Sequence, residues 1–129
     1  MSAGVALAIL VWLLAPSVAW FDAGELAASA SMLGVSHPTG FPLFHLGTHP
    51  LITLPLGPLA LRMHLAGALA AVGGCALWWA SLRSEQRGVL PWAGALLIPL
   101  LMPSVAMHVR AAEVYAWVWL HAGLLVAAM

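Results

Sequence analysis

The sequence predicts an all-α protein: a multi-pass transmembrane helical bundle of about four helices, with a proline-rich loop on one face. Three observations predict it. The 129 residues are 64% hydrophobic and only 6% charged, whereas a soluble domain carries about 25% charged residues. Mean hydropathy is +1.02. The few charges also fall between long apolar runs rather than through them. A water-facing surface cannot be built from so few charges, so the solvent for most of the chain is lipid or other protein. Net charge is zero and there is no lysine. This excludes the basic face that nucleic acid requires and a polybasic anchor to a lipid surface.

The elements follow in order along one domain, residues 1–129. The first expected span is about 3–20, just long enough to cross roughly 30 Å of hydrocarbon at about 1.5 Å per residue. Trp12 suits its core and Trp20 its interface. Ser17-Val18-Ala19 resembles a signal-peptide cleavage site, but the positive segment that precedes such peptides is missing. The second span is about 63–82, rich in Ala and Gly, with Trp78 and Trp79 near its end. Cys75 lies within it, where a buried inert thiol is expected. The third is about 89–109; Pro91, Pro99 and Pro103 predict kinks or unwinding there. The fourth is 114–129, shorter than the roughly 20 residues of a straight crossing, so the chain is expected to stop inside a helix.

Residues 21–62 differ. Pro38, Pro42, Pro50, Pro55 and Pro58 rule against a continuous transmembrane helix. The pattern predicts a short helix from about Ala23 to Leu33, a stop at Gly34, a proline-rich loop, and an interfacial or re-entrant helix over about Leu43 to Leu54. Irregular backbone at that depth is tolerated only against protein or a wet cavity, so the loop is expected to shape a pocket. Arg83 and Arg87 share one side with the amino terminus, which favours a cytoplasmic N-terminus. Residues 21–62 and Glu113 then share the extracytoplasmic face.

That shared face is where chemistry is expected, because ionisable groups at a membrane edge are costly and point to function. A carboxylate there can take a proton from a hydroxyl, and arginine can clamp a phosphate. Asp22 and Glu25 have the spacing of a capping box, in an Asp variant. The alternative is a free carboxylate at a helix start, and the two are compatible. His37, in His37-Pro38-Thr39-Gly40-Phe41-Pro42, is either a plain loop histidine or part of a site. Arg110 and Glu113 stand three apart, as in a helix-end salt bridge. Arg62 is placed to snorkel. His45 and His49 are four apart on one helix face, but no acid accompanies them as in a zinc motif. The other histidines are scattered, so no metal site is assigned.

Together and in this order the clusters resemble a known family: multi-pass membrane proteins that include a eukaryotic protein O-mannosyltransferase, within the GT-C superfamily of glycosyltransferases. The motifs that carry the resemblance are Asp22-Ala23-Gly24-Glu25, Gly34-Val35-Ser36-His37-Pro38-Thr39-Gly40-Phe41-Pro42-Leu43, Leu54-Pro55-Leu56-Gly57, Ala60-Leu61-Arg62-Met63-His64 and Ala112-Glu113-Val114-Tyr115-Ala116. Ala23 stands where the family has Ser, Thr39 for Pro, Phe41 for Tyr and His64 for Asn. The family carries many more helices, so the chain is expected to be the N-terminal portion of a GT-C-like fold.

The resemblance implies a membrane glycosyltransferase of the bacterial inner membrane or an ER-type membrane. It would move a sugar from a polyprenyl-phosphate donor to a hydroxyl of a protein, lipid or glycan on the extracytoplasmic side. By position Asp22 is the base, with Glu25 as partner or alternative, and Glu113 orients the acceptor or Asp22. Arg62 and Arg110 hold the phosphate, His37 shapes the sugar pocket, and Tyr115 lies in the matched substrate-side motif. A divalent metal is used by some GT-C enzymes and not by others. Two further classes stand beside this one. A small non-catalytic assembly or transport subunit would also place charges at broken helices, and a histidine-ligated metal or haem protein would show in its absorbance.

Overall fold

The computed structural model describes residues 22–81 and 113–129, together with positions 8, 9, 11, 12, 14 and 17. Most of the expected first span, all of the third, and Arg83, Glu85, Arg87 and Arg110 lie outside the described residues. Among the described residues the regular structure is helical: α1 is Ala23–Met32, α2 Pro42–Ile52, α3 Leu59–Ser81 and α4 Tyr115–Ala127.

Helix α1 buries Ala23, Leu26, Ala27 and Ala30, the one-three-four spacing that aligns residues on one helical face. It does not end as expected. Leu33, not Gly34, takes the left-handed conformation with φ 50°, and the Gly34 N–H closes back on the Ser29 carbonyl at 2.8 Å. This is a Schellman-type ending in which a leucine occupies the position usually given to glycine. The loop then reverses through Gly40, whose φ of 82° is a conformation open to glycine.

Pro42 starts α2 at a position where a missing N–H costs nothing. Pro50, near its far end, removes one internal hydrogen bond, and the helix stops two residues later. Its last carbonyls are satisfied from outside. Thr53 Oγ1 donates to the Pro50 carbonyl at 2.8 Å. Arg62 Nη1 donates to the Ile52 carbonyl and to that of Leu54 at 2.8 Å. A guanidinium at a helix C-terminus also complements the helix dipole.

Helix α3 spans 23 residues and is long and apolar enough to cross a membrane, which agrees with the apolar composition of the chain. It starts at Leu59, earlier than the expected residue 63, because the Arg62 contact draws the first turn against the end of α2. Helices α3 and α4 form the most extensive pairing. They meet at Gly74 and Gly123, where a Cβ on Gly74 would lie 2.6 Å from the Trp119 carbonyl oxygen and one on Gly123 2.8 Å from that of Gly74. Small residues that let backbones touch are the usual basis of helix association in lipid. Leu26, Phe44, Ile52 and Met63 join α1, α2 and α3 in one apolar core, with Val114 and Trp117 of the α4 end packed against it.

Candidate active site

The core fixes where the head of α1 faces. The α1–α2 loop folds back over that helix start, and its His37 lands between Asp22 and Glu25. Glu25 Oε1 accepts the His37 backbone N–H at 2.5 Å, and Glu25 Oε2 lies 3.1 Å from His37 Nδ1. On the other side of the ring, Nε2 lies 3.8 Å from Asp22 Oδ2. The Phe41 ring meets the imidazole edge-on at 5.3 Å between centroids. The side chains stay open to solvent: Asp22 is 60% exposed, Glu25 46% and His37 37%.

The capping-box reading of Asp22 and Glu25 is not what forms. Asp22 occupies the N-cap with helical backbone angles and makes no side-chain cap bond. Glu25, which a capping box would turn back to the N-cap, is taken by the loop instead. The reason is physical: His37 meets both carboxylate oxygens, one with its backbone N–H and the other with its ring Nδ1, a better match than one backbone N–H. The His37 contacts, the backbone one foremost, hold the Glu25 carboxyl below its ordinary value.

A second pair of bonds fixes the loop from below. His45, buried in α2, lies 3.0 Å from Ser36 Oγ through Nε2, and Ser36 Oγ donates to the Gly40 carbonyl at 3.4 Å. Burial pushes the His45 imidazole below its ordinary value, so it is neutral at pH 7. His49 bonds the Ala30 carbonyl through Nδ1 at 2.9 Å. The two histidines thus have separate anchoring roles. Asp22, Glu25 and His37 each offer one donor atom within 4.8 Å of the others, but both Glu25 oxygens are committed to His37.

Beside the cluster lies an apolar cleft of about 240 Å³, lined by residues that include Phe41, Phe44, Val114 and Trp117. Phe41 is common to both, and Val114 brings the cleft to the start of α4. Glu113 and Tyr115 flank that residue, one half-buried and the other exposed. Arg62, expected at the interface or on a phosphate, has Nη1 engaged at the end of α2. Sequence reasoning did not single out Ser36 or the positioning role of His45. The only signal for them was two polar residues flanking a Pro-Gly turn.

Architecture and site together define a class: a helical membrane protein that presents two carboxylates and an imidazole at the head of its first described helix. The family model described as the Protein O-mannosyl-transferase TMEM260 N-terminal domain matches residues 22–129, and the chain belongs to that family. The match begins at Asp22. The Protein O-mannosyl-transferase TMEM260 of Mus musculus is 39% identical over 111 residues, covering 82% of this chain and 15% of the mouse protein. The chain therefore spans about 15% of the length of that relative. No solved structure gives a significant match.

Proposed function

We propose that this chain is the N-terminal, acid-bearing part of a GT-C-type membrane glycosyltransferase. It moves a sugar from a polyprenyl-phosphate donor to a hydroxyl acceptor on the extracytoplasmic side. Family membership and the name of the mouse relative support sugar transfer. The single observation that supports the site is Asp22: a carboxylate free of any capping bond, 60% exposed, and held beside an imidazole.

In this reading Asp22 takes the proton of the acceptor hydroxyl. The hydroxyl oxygen attacks the anomeric carbon from the face opposite the phosphate, which leaves with the bonding pair. Glu113 and Tyr115, beside the cleft, orient the acceptor. Arg110 and Arg62 are the phosphate candidates; Arg110 is the stronger, because Arg62 Nη1 is already bonded to two carbonyls. The cleft bounded by Phe41, Phe44 and Trp117 suits an apolar sugar face or the first isoprene unit.

The test is sugar transfer in proteoliposomes from a panel of polyprenyl-phosphate sugars, using the longest natural chain that contains these residues, with and without Asp22→Asn. Loss of the base is expected to lower turnover by roughly 10²–10⁴-fold. Full turnover by Asp22→Asn would reject Asp22 as the base. No transfer of any sugar would favour a non-catalytic membrane subunit.

A further inference from the structure

The His37 ring carries information that the proposed transfer does not use. An ionised carboxylate only accepts hydrogen bonds, and Glu25 is held in its ionised form by His37. His37 Nδ1, 3.1 Å from Glu25 Oε2, is therefore the protonated nitrogen. In the neutral ring Nε2 is then a bare acceptor. It faces Asp22 Oδ2, a second acceptor, at 3.8 Å. At that distance the two acceptors are not hydrogen-bonded to each other, and a proton on either one would draw the other in. Among the described residues, the titratable groups around the ring are Asp22 and Glu25 from α1 and, acting on Glu25, His45 from α2; the Phe41 ring closes a further side.

We propose that His37 is the proton acceptor behind Asp22, with its tautomer set by Glu25, so that Asp22, His37 and Glu25 form one proton-relay unit. This rests on the sugar transfer proposed above. The acceptor O–H proton passes to Asp22 as the oxygen–anomeric carbon bond forms and the carbon–phosphate oxygen bond breaks. It then passes to His37 Nε2, while the Nδ1 proton stays on the ring, hydrogen-bonded to Glu25 Oε2. The resulting imidazolium lies between two carboxylates, and Asp22 is returned to its ionised form. The ring is 37% exposed, so water takes the proton between turnovers. A relay suits this site because imidazole can take a proton on one ring nitrogen while the other keeps its hydrogen bond. Glu25 and the Ser36–His45 bond are positioning elements: one sets the nitrogen that carries hydrogen, the other holds the loop.

Two measurements on the longest natural chain test this. The first is nitrogen-15 NMR of histidine-labelled protein in lipid nanodiscs, with His37 assigned by its loss in His37→Gln. The expected signal at pH 7.5 is a protonated Nδ1 and a bare Nε2, reversing in Glu25→Gln, whose amide donates to the ring. The opposite tautomer in the wild type would overturn the relay whether or not the protein transfers sugar. The second is turnover against pH for wild type, His37→Gln and Glu25→Gln. The wild type is expected to lose turnover on the acid side, where His37 is already protonated and can take no further proton. His37→Gln is expected to lose that limb, to fall at least 10²-fold in kcat, and to change KM little. A His37→Gln protein with an unaltered pH profile and a raised KM overturns the relay and makes His37 a pocket wall. Activity abolished by a chelator and restored by magnesium or manganese also overturns it, placing a cation rather than a proton between Asp22 and His37. If no variant and no wild-type chain transfers sugar, the proposed function fails and the relay falls with it.

Discussion

Glu25 is the residue on which the site's geometry turns, since it binds both the backbone and the ring of His37. Its carboxyl sits below the ordinary 4.5 because those contacts favour the ionised form. As pH falls the unfolded chain therefore takes up this proton first. The stabilisation is complete above about pH 4.5 and is lost as pH drops through the lower folded value. Hydrogen exchange should report it: the His37 amide is expected to lose protection in that window, while amides inside α3 keep theirs. His45 behaves in the opposite chemical sense with the same pH direction. Burial disfavours its charged form, so the unfolded chain binds a proton below about 6.5 that the folded chain resists. Stability is expected to fall as pH drops from 6.5, and His45→Gln, which keeps a donor toward Ser36, should flatten that slope in thermal unfolding.

At the level of helices, close approaches decide the packing. A Cβ on Gly47 would stand 2.2 Å from the Trp117 ring, so the α4 indole rests directly on the α2 backbone at this glycine. Gly74 and Gly123 are close approaches of the same kind for α3 and α4, against backbone that cannot yield as a side chain would. Overpacking commonly costs about 1–3 kcal/mol. Gly74→Leu and Gly123→Val are expected at or above the upper end of that range, read as lowered Tm in detergent, with Gly73→Ala as the mild comparison. Arg62→Gln should release the end of α2 and cost about 1–3 kcal/mol through its unmatched carbonyls. If Arg62 also held phosphate, KM for the donor would rise beyond what the stability loss explains. These particulars show what could be read in advance. The presence of α1, α2 and α4 was legible because their signals are local, such as Asp22 before an apolar face and Val114 before an apolar run, but the proline start of α2 at Pro42 was not read. The Glu25–His37 clasp, the Arg62 cap and the Gly47–Trp117 contact were not, because each joins residues brought together only by a chain reversal. Spacing suggested a capping box at Asp22 and Glu25, since i,i+3 periodicity cannot register a competing donor twelve residues away.

Across the whole molecule, one edge of α2 and the loop before it runs against the usual polarity, although the hairpin's core is apolar. His45 and Thr48 of α2 are 3% and 0% exposed, whereas Leu43 and Leu46 of the same helix are 58% and 62% exposed, and Val35 in the preceding loop is 87% exposed. In water that arrangement is unfavourable twice over, because burying a polar atom needs a partner and an exposed apolar surface is driven to be covered. Beside hydrocarbon it is the expected one: leucines outward, histidines bonded inward. The hairpin should therefore lie in the membrane interface, with its leucine edge in acyl chains and Asp22, Glu25 and His37 turned toward water and headgroups. Nitroxide labels placed one at a time test this in proteoliposomes. Labels at Val35 and Leu46 are expected to be relaxed mainly by oxygen, which concentrates in acyl chains. A label at Gly24, exposed beside Glu25, should be relaxed mainly by a water-soluble nickel complex. Preference for nickel at Leu46 would place the hairpin in water and separate the acid cluster from the bilayer. Low access to both reagents there would mean that protein, not lipid, covers the leucines. The donor proposed above carries its phosphate at headgroup depth and its tail in the bilayer, so the depth of Leu46 bears directly on whether Asp22 can reach it.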